Sequence, residues 1–543
     1  MKQLHHGAIM EDSERIKGYI AMILHSHIPF VRHPDMEDAL EERWLFQAMS
    51  ESYIPLIQVF DRLIQDKINY KITLSLTPPL MTTLEDQYLN ERFIKYLENS
   101  IKLSREEIVR TKYNKEENKL AYFYEKRFME ISKTYYKYNG NLMNAFRKFD
   151  RLGYIEFITS AATHGILPLL SIHKESVSAQ VRLGVETYTE KMGHEPNGIW
   201  LPECAYSYSL DSILKENNLK YFITESTGVL NASPKPLYGT FAPIITPNGV
   251  IALGRDIKSS RQLWSSTQGY PGDYNYREFY RDIGYDLPME YIAPYINRNG
   301  IRIDTGIKYY KITGKTEEKL YYDREKAMGK VKEHAQHFIN ERNNEFTKIK
   351  PHMDGMPIIT CPYDTELFGH WWYEGPEFIE SFLRNSAKKE NVYKLTTPSE
   401  FISKCKKIQC CSPDPSSWGE NGDYSVWLNA SNSWIYKKIH SCADKMINLS
   451  NNYTNPSEIE ERALNQAARE LLLAESSDWP FIIKNNTASE YASKRVNCHV
   501  ERFEKIYNEI ISNTVDINWL LNVENIDNIF PKINFRIYKS QRL

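Results

Sequence analysis

The sequence lacks several features that assign a chain to a common class of protein. Its seven cysteines in 543 residues are an odd number, they have no framework spacing, and no C-x-x-C pair occurs. This argues against a disulfide scaffold. No apolar stretch is long enough to cross a bilayer. Neither G-x-G-x-x-G after the first apolar run nor G-x-x-x-x-G-K-[ST] is present, so nucleotide-binding folds lose support.

The chain also lacks an excess of charge of either sign. It has 68 basic and 70 acidic residues, and its formal net charge is −2. Such a balance gives no electrostatic reason to bind nucleic acid or an anionic membrane, so we predict neither partner. A neutral substrate is compatible with this balance.

Signals for export are missing from the sequence as well. The acidic residues Glu11, Asp12 and Glu14 come before any apolar run, which is not typical of a signal peptide. Cysteines without framework spacing suit a reducing compartment. We therefore predict a cytoplasmic protein with free thiols.

The main structural signal is a series of short, solidly apolar runs. Runs of this length, rich in Ile, Val, Tyr and Phe, are typical of buried parallel strands. Amphipathic segments such as 39–65 and 176–192 lie between many of them. The alternation predicts an α/β fold with a parallel sheet, either a barrel or a doubly wound sheet. The runs cover residues 19–24, 70–76, 154–162, 198–201, 221–224, 250–253, 357–361 and, as a further candidate, 392–395.

The remaining segments indicate how the chain is divided, since 543 residues are too many for one compact core. Residues 83–150 have helical character and are too long for an ordinary crossover. Residues 226–350 show many turns and little regular pattern. After about residue 410 the strand signals stop, and helical spacing is found over 458–475 and 488–512. We predict a catalytic barrel over 1–410, with the helical insertion at 83–150, and a helical domain over 411–543.

Two carboxylates stand among aromatic residues at the ends of apolar runs. Glu203 lies in G-I-W-L-P-E-C-A-Y (198–206), and Asp364 lies in I-T-C-P-Y-D-T-E (359–366). Burial disfavours the charged form of a carboxylate, so this placement is costly without a functional reason. Cleavage of a glycosidic bond needs such a pair, one residue as nucleophile and the other as general acid and base. The alternative is a structural role, in which each carboxylate caps the N-terminus of the helix that follows it.

Polar residues that follow the other runs converge with this pair if the sheet is parallel. The C-terminal ends of such strands line the site, and here they lead to His25, His27, Glu156, His164 and Arg255. The pattern His25-x-His27 could bind zinc, as in metal-dependent sugar deacetylases and mannosidases, or it could contact sugar hydroxyls. Glu156 and His164 are candidates either for supports of the site or for ion partners in the core.

Aromatic residues make up 13% of the chain. Trp and Tyr stack on sugar rings, although any single ring is also a candidate for core packing. Trp418 borders a glycine-rich turn, W-G-E-N-G-D over 418–423, which favours its exposure. The tryptophans that we consider as sugar platforms are Trp264, Trp371, Trp372, Trp418, Trp427 and Trp434.

These segments, in their order along the chain, resemble the motifs of glycoside hydrolase family 57. The C-terminal segments R-A-L-N-Q-A (462–467) and S-D-W-P-F (477–481) are similar to the C-terminal domain of that family's α-1,4-glucan branching enzymes. Arg255-Asp256 and G-Y-P-G-D (269–273) also fit the branching group. The matching motifs are H-S-H-I-P-F (25–30), A-T-H-G-I-L-P (162–168), W-L-P-E-C-A-Y (200–206), Y-D-T-E-L-F-G-H-W-W (363–372) and the stretch from S-W-G (417–419) to W-L-N (427–429).

The resemblance implies a fold and a mechanism. The family has an incomplete (β/α)7 barrel with a helical insertion and a C-terminal all-helical domain. Its mechanism is retaining and uses no metal or other cofactor. Glu203 matches the position of the nucleophile, and Asp364 matches that of the acid/base. The residues that we expect to contact substrate are His25, His27, Glu156, His164, Trp200, Tyr238, Arg255, Trp264, Trp371, Trp372, Trp418 and Trp427.

The resemblance also implies an activity. The expected enzyme cleaves an α-1,4 bond in a glucan such as amylose, amylopectin or glycogen and transfers the segment to a 6-hydroxyl. Trp371, Trp372, Trp418 and Tyr238 are expected to favour a sugar acceptor over water. The alternatives are an α-amylase or 4-α-glucanotransferase of the same family, a metal-dependent deacetylase or mannosidase, and a non-catalytic glucan-binding protein.

Overall fold

The computed structural model describes residues 15–36, 39–265, 268–296 and 300–540. The N-terminal residues on which the prediction about export depends lie outside these ranges. All eight apolar runs form strands, as predicted. The described strands are β1 (Gly18–Ser26), β2 (Ile72–Leu76), β3 (Ile155–Ser160), β4 (Gly198–Trp200), β5 (Tyr221–Thr224), β6 (Ile244–Ile245), β7 (Ile251–Gly254), β8 (Ile358–Asp364), β9 (Tyr393–Leu395) and β10 (Gln409–Cys410).

The strands form one curled sheet in the order β10-β6-β7-β5-β4-β3-β2-β1-β8, with β9 paired to β1. Seven of them, from β7 through β5, β4, β3, β2 and β1 to β8, run parallel. At the open side, the backbone N–H of Asp256, just after β7, donates to the carbonyl of Thr360 in β8 at 2.9 Å. The described residues show no strand pairing between β7 and β8. The expected incomplete (β/α)7 barrel is confirmed.

Side-chain alternation along β1 determines what the barrel encloses. Ala21 and Ile23 pack inside the barrel with Ile158 and Tyr221, whereas Met22 belongs to the core between sheet and helices. Successive side chains of a strand point to opposite faces, so His25 shares the inner face at the C-terminal end of β1. The solidly apolar pattern arises because both faces of the sheet are buried.

Helices cover the outside of the barrel. The amphipathic segment predicted at 39–65 forms two α-helices joined by a π-helical turn at Met49–Tyr53, and the segment predicted at 176–192 forms Lys174–Met192. The α-helices around the barrel are Glu42–Ala48, Ile54–Gln65, Leu167–Leu170, Lys174–Met192, Leu210–Glu216, Ser226–Leu230, Ile257–Trp264, Ile283–Asp286, Met289–Ile296, Arg324–Ile349, Gly375–Ser386 and Pro398–Ile402.

Helices also fill the predicted insertion at 83–150. Asp86 and Asn114 cap the two longest of them by accepting hydrogen bonds from backbone N–H groups of the first turn. Side-chain caps of this kind satisfy donors that have no partner within the helix. The helices are Pro78–Glu85, Gln87–Arg110, Lys115–Lys137 and Met143–Arg151.

The expectation of little regular structure over 226–350 is wrong for its last part. Arg324–Ile349 is an α-helix of 26 residues. Its buried side includes Ala327, Val331 and Ala335 at four-residue spacing and then Arg342. Phe338, Ile339 and Phe346 complete the buried side, so its large apolar residues lie in the second half of the helix and the apolar period is weak in the first half.

The region after β10 is helical, as predicted. Its helices do not have a separate core, because Leu464 and Leu471 share one apolar cluster with Leu167, Leu170 and Val177 of the barrel region. The division of the chain near residue 410 therefore stays a prediction. No helix among the described residues is long and apolar enough to cross a membrane. The C-terminal helices are Ser433–Asn452, Glu458–Ala474, Asp478–Asn485, Ser489–Ser512 and Ile517–Ile526.

Candidate active site

Glu203 follows β4 in an unusual backbone conformation. The strand ends at Trp200, and a single 3-10 turn, Pro202–Cys204, follows it. Glu203 has φ = 59° and Cys204 has φ = 52°, in the left-handed region that costs a non-glycine residue energy. The carbonyl of Glu203 accepts a hydrogen bond from the backbone N–H of Trp418 at 3.0 Å. Strain of this kind is concentrated at functional sites.

Both carboxylate oxygens of Glu203 face hydrogen-bond donors that come from outside the barrel. The indole Nε1–H of Trp418 donates to Oε2 at 2.6 Å, and the hydroxyl of Ser477 donates to Oε1 at 3.5 Å. Nδ1 of His164 lies 3.8 Å from Oε1. Burial raises the pKa of Glu203 to about 8, with the charge of Asp364 adding to the rise and the Trp418 hydrogen bond opposing it.

Asp364 is the last residue of β8, in register with His25 of β1. Burial raises the pKa of its carboxyl group well above the ordinary value. The negative charge of Glu366 adds to this rise, and the positive charge of Arg255 opposes it. Among the described residues, no side chain donates a hydrogen bond to the Asp364 carboxyl group. Its surroundings favour the protonated acid.

Glu366, which sequence reasoning missed, lies beside the acid and is half-buried. Its Oε1 accepts a hydrogen bond from the hydroxyl of Tyr53 and another from the backbone N–H of His27 at 3.3 Å. Tyr53 is the last residue of the π-helical turn Met49–Tyr53. Burial raises the pKa of Glu366 to about 7. Its position two residues after Asp364, in the same motif, was the available signal.

Three histidines form a stack beside Glu203. The ring of His27 lies parallel to that of His164, with centroids 4.0 Å apart. His25 stacks on His164 at 5.0 Å and on Trp200 at 4.5 Å. The structure therefore brings together the three histidines that the sequence placed at two separate strand ends.

Each of the six ring nitrogens in this stack has a side-chain partner. Nε2 of His25 faces Nε2 of His164 at 2.9 Å. Burial lowers the pKa of His25 and of His164 well below the ordinary value, so both rings are neutral near pH 7. A zinc ion held by His25 and His27 would have to displace these partners. The other four nitrogens face Ser75, Thr77, Asp478 and Ser477.

The C-terminal region contributes residues that sequence reasoning had not assigned to the site. The turn 476–478 is attached to the barrel by a β-bridge between Gly165 and Ser476. Oδ2 of Asp478 lies 2.9 Å from Nε2 of His27. Burial opposes the ionisation of Asp478, but His27 and His164 outweigh it and lower its pKa to about 2. In the sequence, the segment S-D-W-P-F is marked only by its similarity to the family. It does not follow a predicted strand, so the rule for strand ends could not assign it to the site.

Arg255 and Trp264 join Trp418 in a wall beside Glu203. Nε of Arg255 lies 2.8 Å from Oε2 of Glu225, and its guanidinium group lies 5.8 Å from the centroid of the Trp418 ring. Trp264 meets the same ring edge-on at 6.2 Å and is 38% exposed. An exposed indole held in this way can stack on a sugar ring.

Three of the tryptophans that we expected to contact substrate are core residues. Trp200, Trp372 and Trp427 are all less than 2% exposed. Trp372 packs against Tyr276 and Phe378, and the others are similarly enclosed. A ring with no open face cannot stack on a sugar, so direct stacking is excluded for these three in this structure.

Trp371, by contrast, is 56% exposed. Its ring stacks on Phe279 with centroids 4.8 Å apart and an interplanar angle of 20°. Nζ of Lys308 lies over the Phe279 ring at 4.6 Å. Trp371 is thus a supported aromatic surface on the loop that follows Asp364.

The remaining two candidates, Glu156 and Tyr238, each pair with residues outside the group around Glu203. Glu156 lies near the N-terminal end of β3, where it accepts hydrogen bonds from Tyr221 at 2.9 Å and from the backbone N–H of Ser399 at 3.2 Å. It faces the end of the barrel opposite to Glu203, so the structure does not bring it together with the two carboxylates. The hydroxyl of Tyr238 pairs with Asp354, in the loop before β8, at 3.2 Å.

A second cluster of possible metal ligands lies in the C-terminal helices. Glu470, His499 and Asp527 are buried and close together, and Nδ1 of His499 lies 2.6 Å from Oε2 of Glu470. Arg495 and Arg502 both form ion pairs with Asp527. Two guanidinium groups neutralise the carboxylates, which favours a structural ion network over a cation site.

Comparison with known proteins agrees with this geometry. The family model described as glycosyl hydrolase family 57 matches residues 21–354, and the one described as 1,4-alpha-glucan branching enzyme, C-terminal, matches residues 438–538. A 1,4-alpha-glucan branching enzyme of Thermococcus kodakarensis is 34% identical over 97% of this chain and 79% of its own length.

Two solved structures are similar over nearly the whole chain. An α-amylase from Thermotoga maritima has 42% identity and a TM-score of 0.91, with 97% of this chain and 100% of that chain covered. A branching enzyme of the same family from Pyrococcus horikoshii has 33% identity and a TM-score of 0.87, with 97% and 98% covered. With a family model over more than half of its length, the chain belongs to glycosyl hydrolase family 57.

Proposed function

We propose that the protein is a 1,4-α-glucan branching enzyme that works by a retaining double displacement. The observation that carries the proposal is the contact between the two matched regions. The C-terminal region, which matches the branching-enzyme model, places Ser477 on Glu203 and Asp478 on His27. The substrate is an α-glucan of the amylose, amylopectin or glycogen type.

In the first step, Asp364 is protonated and Glu203 is ionised. The Glu203 carboxylate attacks the anomeric carbon, while Asp364 gives its proton to the oxygen of the departing α-1,4 bond. A covalent glucosyl-enzyme with inverted configuration results. The released chain end leaves with the proton.

In the second step, a 6-hydroxyl of an acceptor glucan attacks the same anomeric carbon. Asp364, now ionised, takes the hydroxyl proton, and the bond to Glu203 breaks. The second inversion restores the α configuration. Both side chains return to their starting protonation states.

The surroundings of the two carboxylates support these roles. Burial raises the pKa of both. Within the described part of the chain, side chains donate hydrogen bonds to Glu203 and not to Asp364, and such bonds stabilise the charged form. Asp364 lies beside Glu366, whose negative charge favours the neutral acid. Environments that separate two carboxylates in this way assign the nucleophile and the acid.

Transfer requires that a sugar hydroxyl reaches the intermediate more often than water does. Trp264, beside Trp418, and Trp371, on the loop after Asp364, are exposed rings. We assign both to glucan binding. Positioning of the acceptor supplies the advantage of sugar over water. Glycogen-type synthesis in the cytoplasm is the role that suits this activity.

An α-amylase is the second candidate, because the similar structure from Thermotoga maritima is described as an α-amylase. The same two carboxylates would serve, with water as the acceptor. The experiment is incubation of the purified protein with amylose, followed by proton NMR and a reducing-end assay. Signals of new α-1,6 linkages without a matching rise in reducing ends support branching.

If reducing ends accumulated without α-1,6 signals, the protein would be a hydrolase and the proposal of branching would be wrong. The variant Glu203→Gln serves as the control, because it keeps the fold and removes the nucleophile. Any product formed by this variant measures contaminating activity.

A further inference from the structure

A chain of four side chains leads from the interior of the barrel to the nucleophile. Oγ of Ser75 lies 3.1 Å from Nδ1 of His25, and Nε2 of His25 lies 2.9 Å from Nε2 of His164. Nδ1 of His164 lies 2.8 Å from Oγ of Ser477. The Ser477 hydroxyl reaches Oε1 of Glu203 at 3.5 Å.

We propose that the hydrogen bonds from Ser75 to Glu203 all run in one direction when Glu203 is ionised. Each donor in the series then points its proton toward the carboxylate. His25 then carries its proton on Nε2, and His164 carries its proton on Nδ1. Ser477 is a positioning residue that accepts a hydrogen bond from His164 and donates one to Glu203. The inference rests on the proposed role of Glu203 as nucleophile and adds the device that keeps it ionised.

The direction follows from counting protons. A serine hydroxyl has one proton and a neutral imidazole has one N–H. If Ser477 donates to Glu203, its oxygen must accept from Nδ1 of His164. Nε2 of His164 is then an acceptor, so His25 must donate from Nε2. Nδ1 of His25 is left to accept from Ser75.

The burial of the rings supports this assignment. His25 and His164 are each 2% exposed, and burial lowers the pKa of both, so each holds a single proton. Hydrogen bonds aligned in one direction polarise and strengthen one another.

Other charged groups also face Glu203 and must be included in any titration. Asp364 and Asp478 raise the pKa of Glu203, and His27 lowers it. These groups come from β8, from the C-terminal helices and from the end of β1. Replacement of Ser477 leaves all of these charged groups in place. It therefore isolates the contribution of the hydrogen-bond series to the pKa of Glu203.

The test is a pH titration of the Glu203 carboxyl stretch by infrared difference spectroscopy, without substrate. The band is identified by its loss in Glu203→Gln. In Ser477→Ala we expect the midpoint to rise by about half a pH unit to one unit, because a donor to the charged form is removed. Ser477→Thr keeps the hydroxyl and should return the midpoint toward the wild-type value.

The matched control is Ser450→Ala, which removes another buried serine of the C-terminal helices. Its hydroxyl donates to the carbonyl of Phe535 at 2.6 Å, away from the site. We expect no change in the Glu203 midpoint. An unchanged midpoint in Ser477→Ala, or an equal shift in the control, would overturn the proposal.

Nitrogen NMR of the imidazole rings tests the same proposal in the unaltered protein. With selectively labelled histidine, His25 should show a protonated Nε2, and His164 should show a protonated Nδ1. The opposite tautomers would mean that Ser477 donates to His164, and the proposal would fail. Neither measurement uses turnover, so failure of the branching assay and failure of this inference can be told apart.

Discussion

Glu203 and Asp364 are both half-buried at the C-terminal end of the barrel, but their neighbours differ in origin and in kind. Glu203 is contacted by Trp418 and Ser477, which both come from the chain after the last barrel strand. Asp364 has charged neighbours supplied by the barrel region, Glu366 and Arg255. Side-chain donors contact the carboxylate of Glu203, whereas no side-chain donor among the described residues contacts that of Asp364.

This difference teaches that burial alone does not define a catalytic role. Desolvation raises the pKa of both groups, so it cannot distinguish nucleophile from acid. Hydrogen bonds to the charged form and a nearby negative charge act in opposite directions. The roles of the two residues follow from these partners.

The largest effect is expected from removal of the nucleophile. Glu203→Gln should lower kcat on amylose on the order of 10⁴- to 10⁶-fold, because no covalent intermediate can form. Addition of azide should restore turnover in a nucleophile variant with a small replacement, Glu203→Gly, and yield a glycosyl azide of inverted configuration. If Asp364→Gly gave the inverted azide and Glu203→Gly did not, the two roles would be exchanged.

Removal of one donor should have an intermediate effect. Trp418→Phe deletes the hydrogen bond to Oε2 of Glu203 and should lower kcat about 10- to 100-fold. The indole N–H favours ionised Glu203, so its loss raises the pKa of that group from about 8. The acid limb of the kcat/KM profile should therefore move to higher pH.

Trp519→Phe is the matched control, because Trp519 lies on a distant C-terminal helix under Lys505. It should leave the pH profile unchanged. An acid limb that does not move in Trp418→Phe would show that the indole does not tune Glu203.

A smaller effect is expected at the acid. Glu366→Gln removes a negative charge that raises the pKa of Asp364, so that pKa should fall. The alkaline limb of kcat/KM should move to lower pH by about one unit. The exposed Glu186→Gln is a control for loss of charge elsewhere, and an alkaline limb that stays in place for Glu366→Gln would contradict the prediction.

The smallest effect on activity is expected at the other end of the barrel. Glu156→Gln weakens the contacts with Tyr221 and Ser399 and should lower the free energy of unfolding by about 1–3 kcal/mol. Denaturant unfolding measures this loss. We expect kcat/KM to stay within about twofold of wild type. A tenfold decrease would show that Glu156 acts at the substrate site.

Much of the fold could be predicted from the sequence because both faces of a parallel sheet are buried. All eight apolar runs form strands, and their order places Glu203 and Asp364 at the same end. β6 and β10 were missed because two residues carry no periodicity. The helix Arg324–Ile349 was missed because its first half buries mainly alanines, which give a weak apolar period.

The site was predictable where strand ends supply the residues. His25, His164 and Arg255 are near the carboxylates for this reason. Ser477, Asp478 and Tyr53 were missed because tertiary packing, not strand order, brings them in. Residue type alone could not separate exposed Trp371 from buried Trp372, although the two are adjacent.

The bridge between Gly165 and Ser476 also limits how the chain can be recombined. A chimera joined near residue 410 would take its barrel from one relative and Ser477 from another. Such a hybrid inherits a nucleophile and a hydroxyl partner that were never selected together. We therefore expect such hybrids to keep more activity when the barrel and the turn 476–478 come from the same parent.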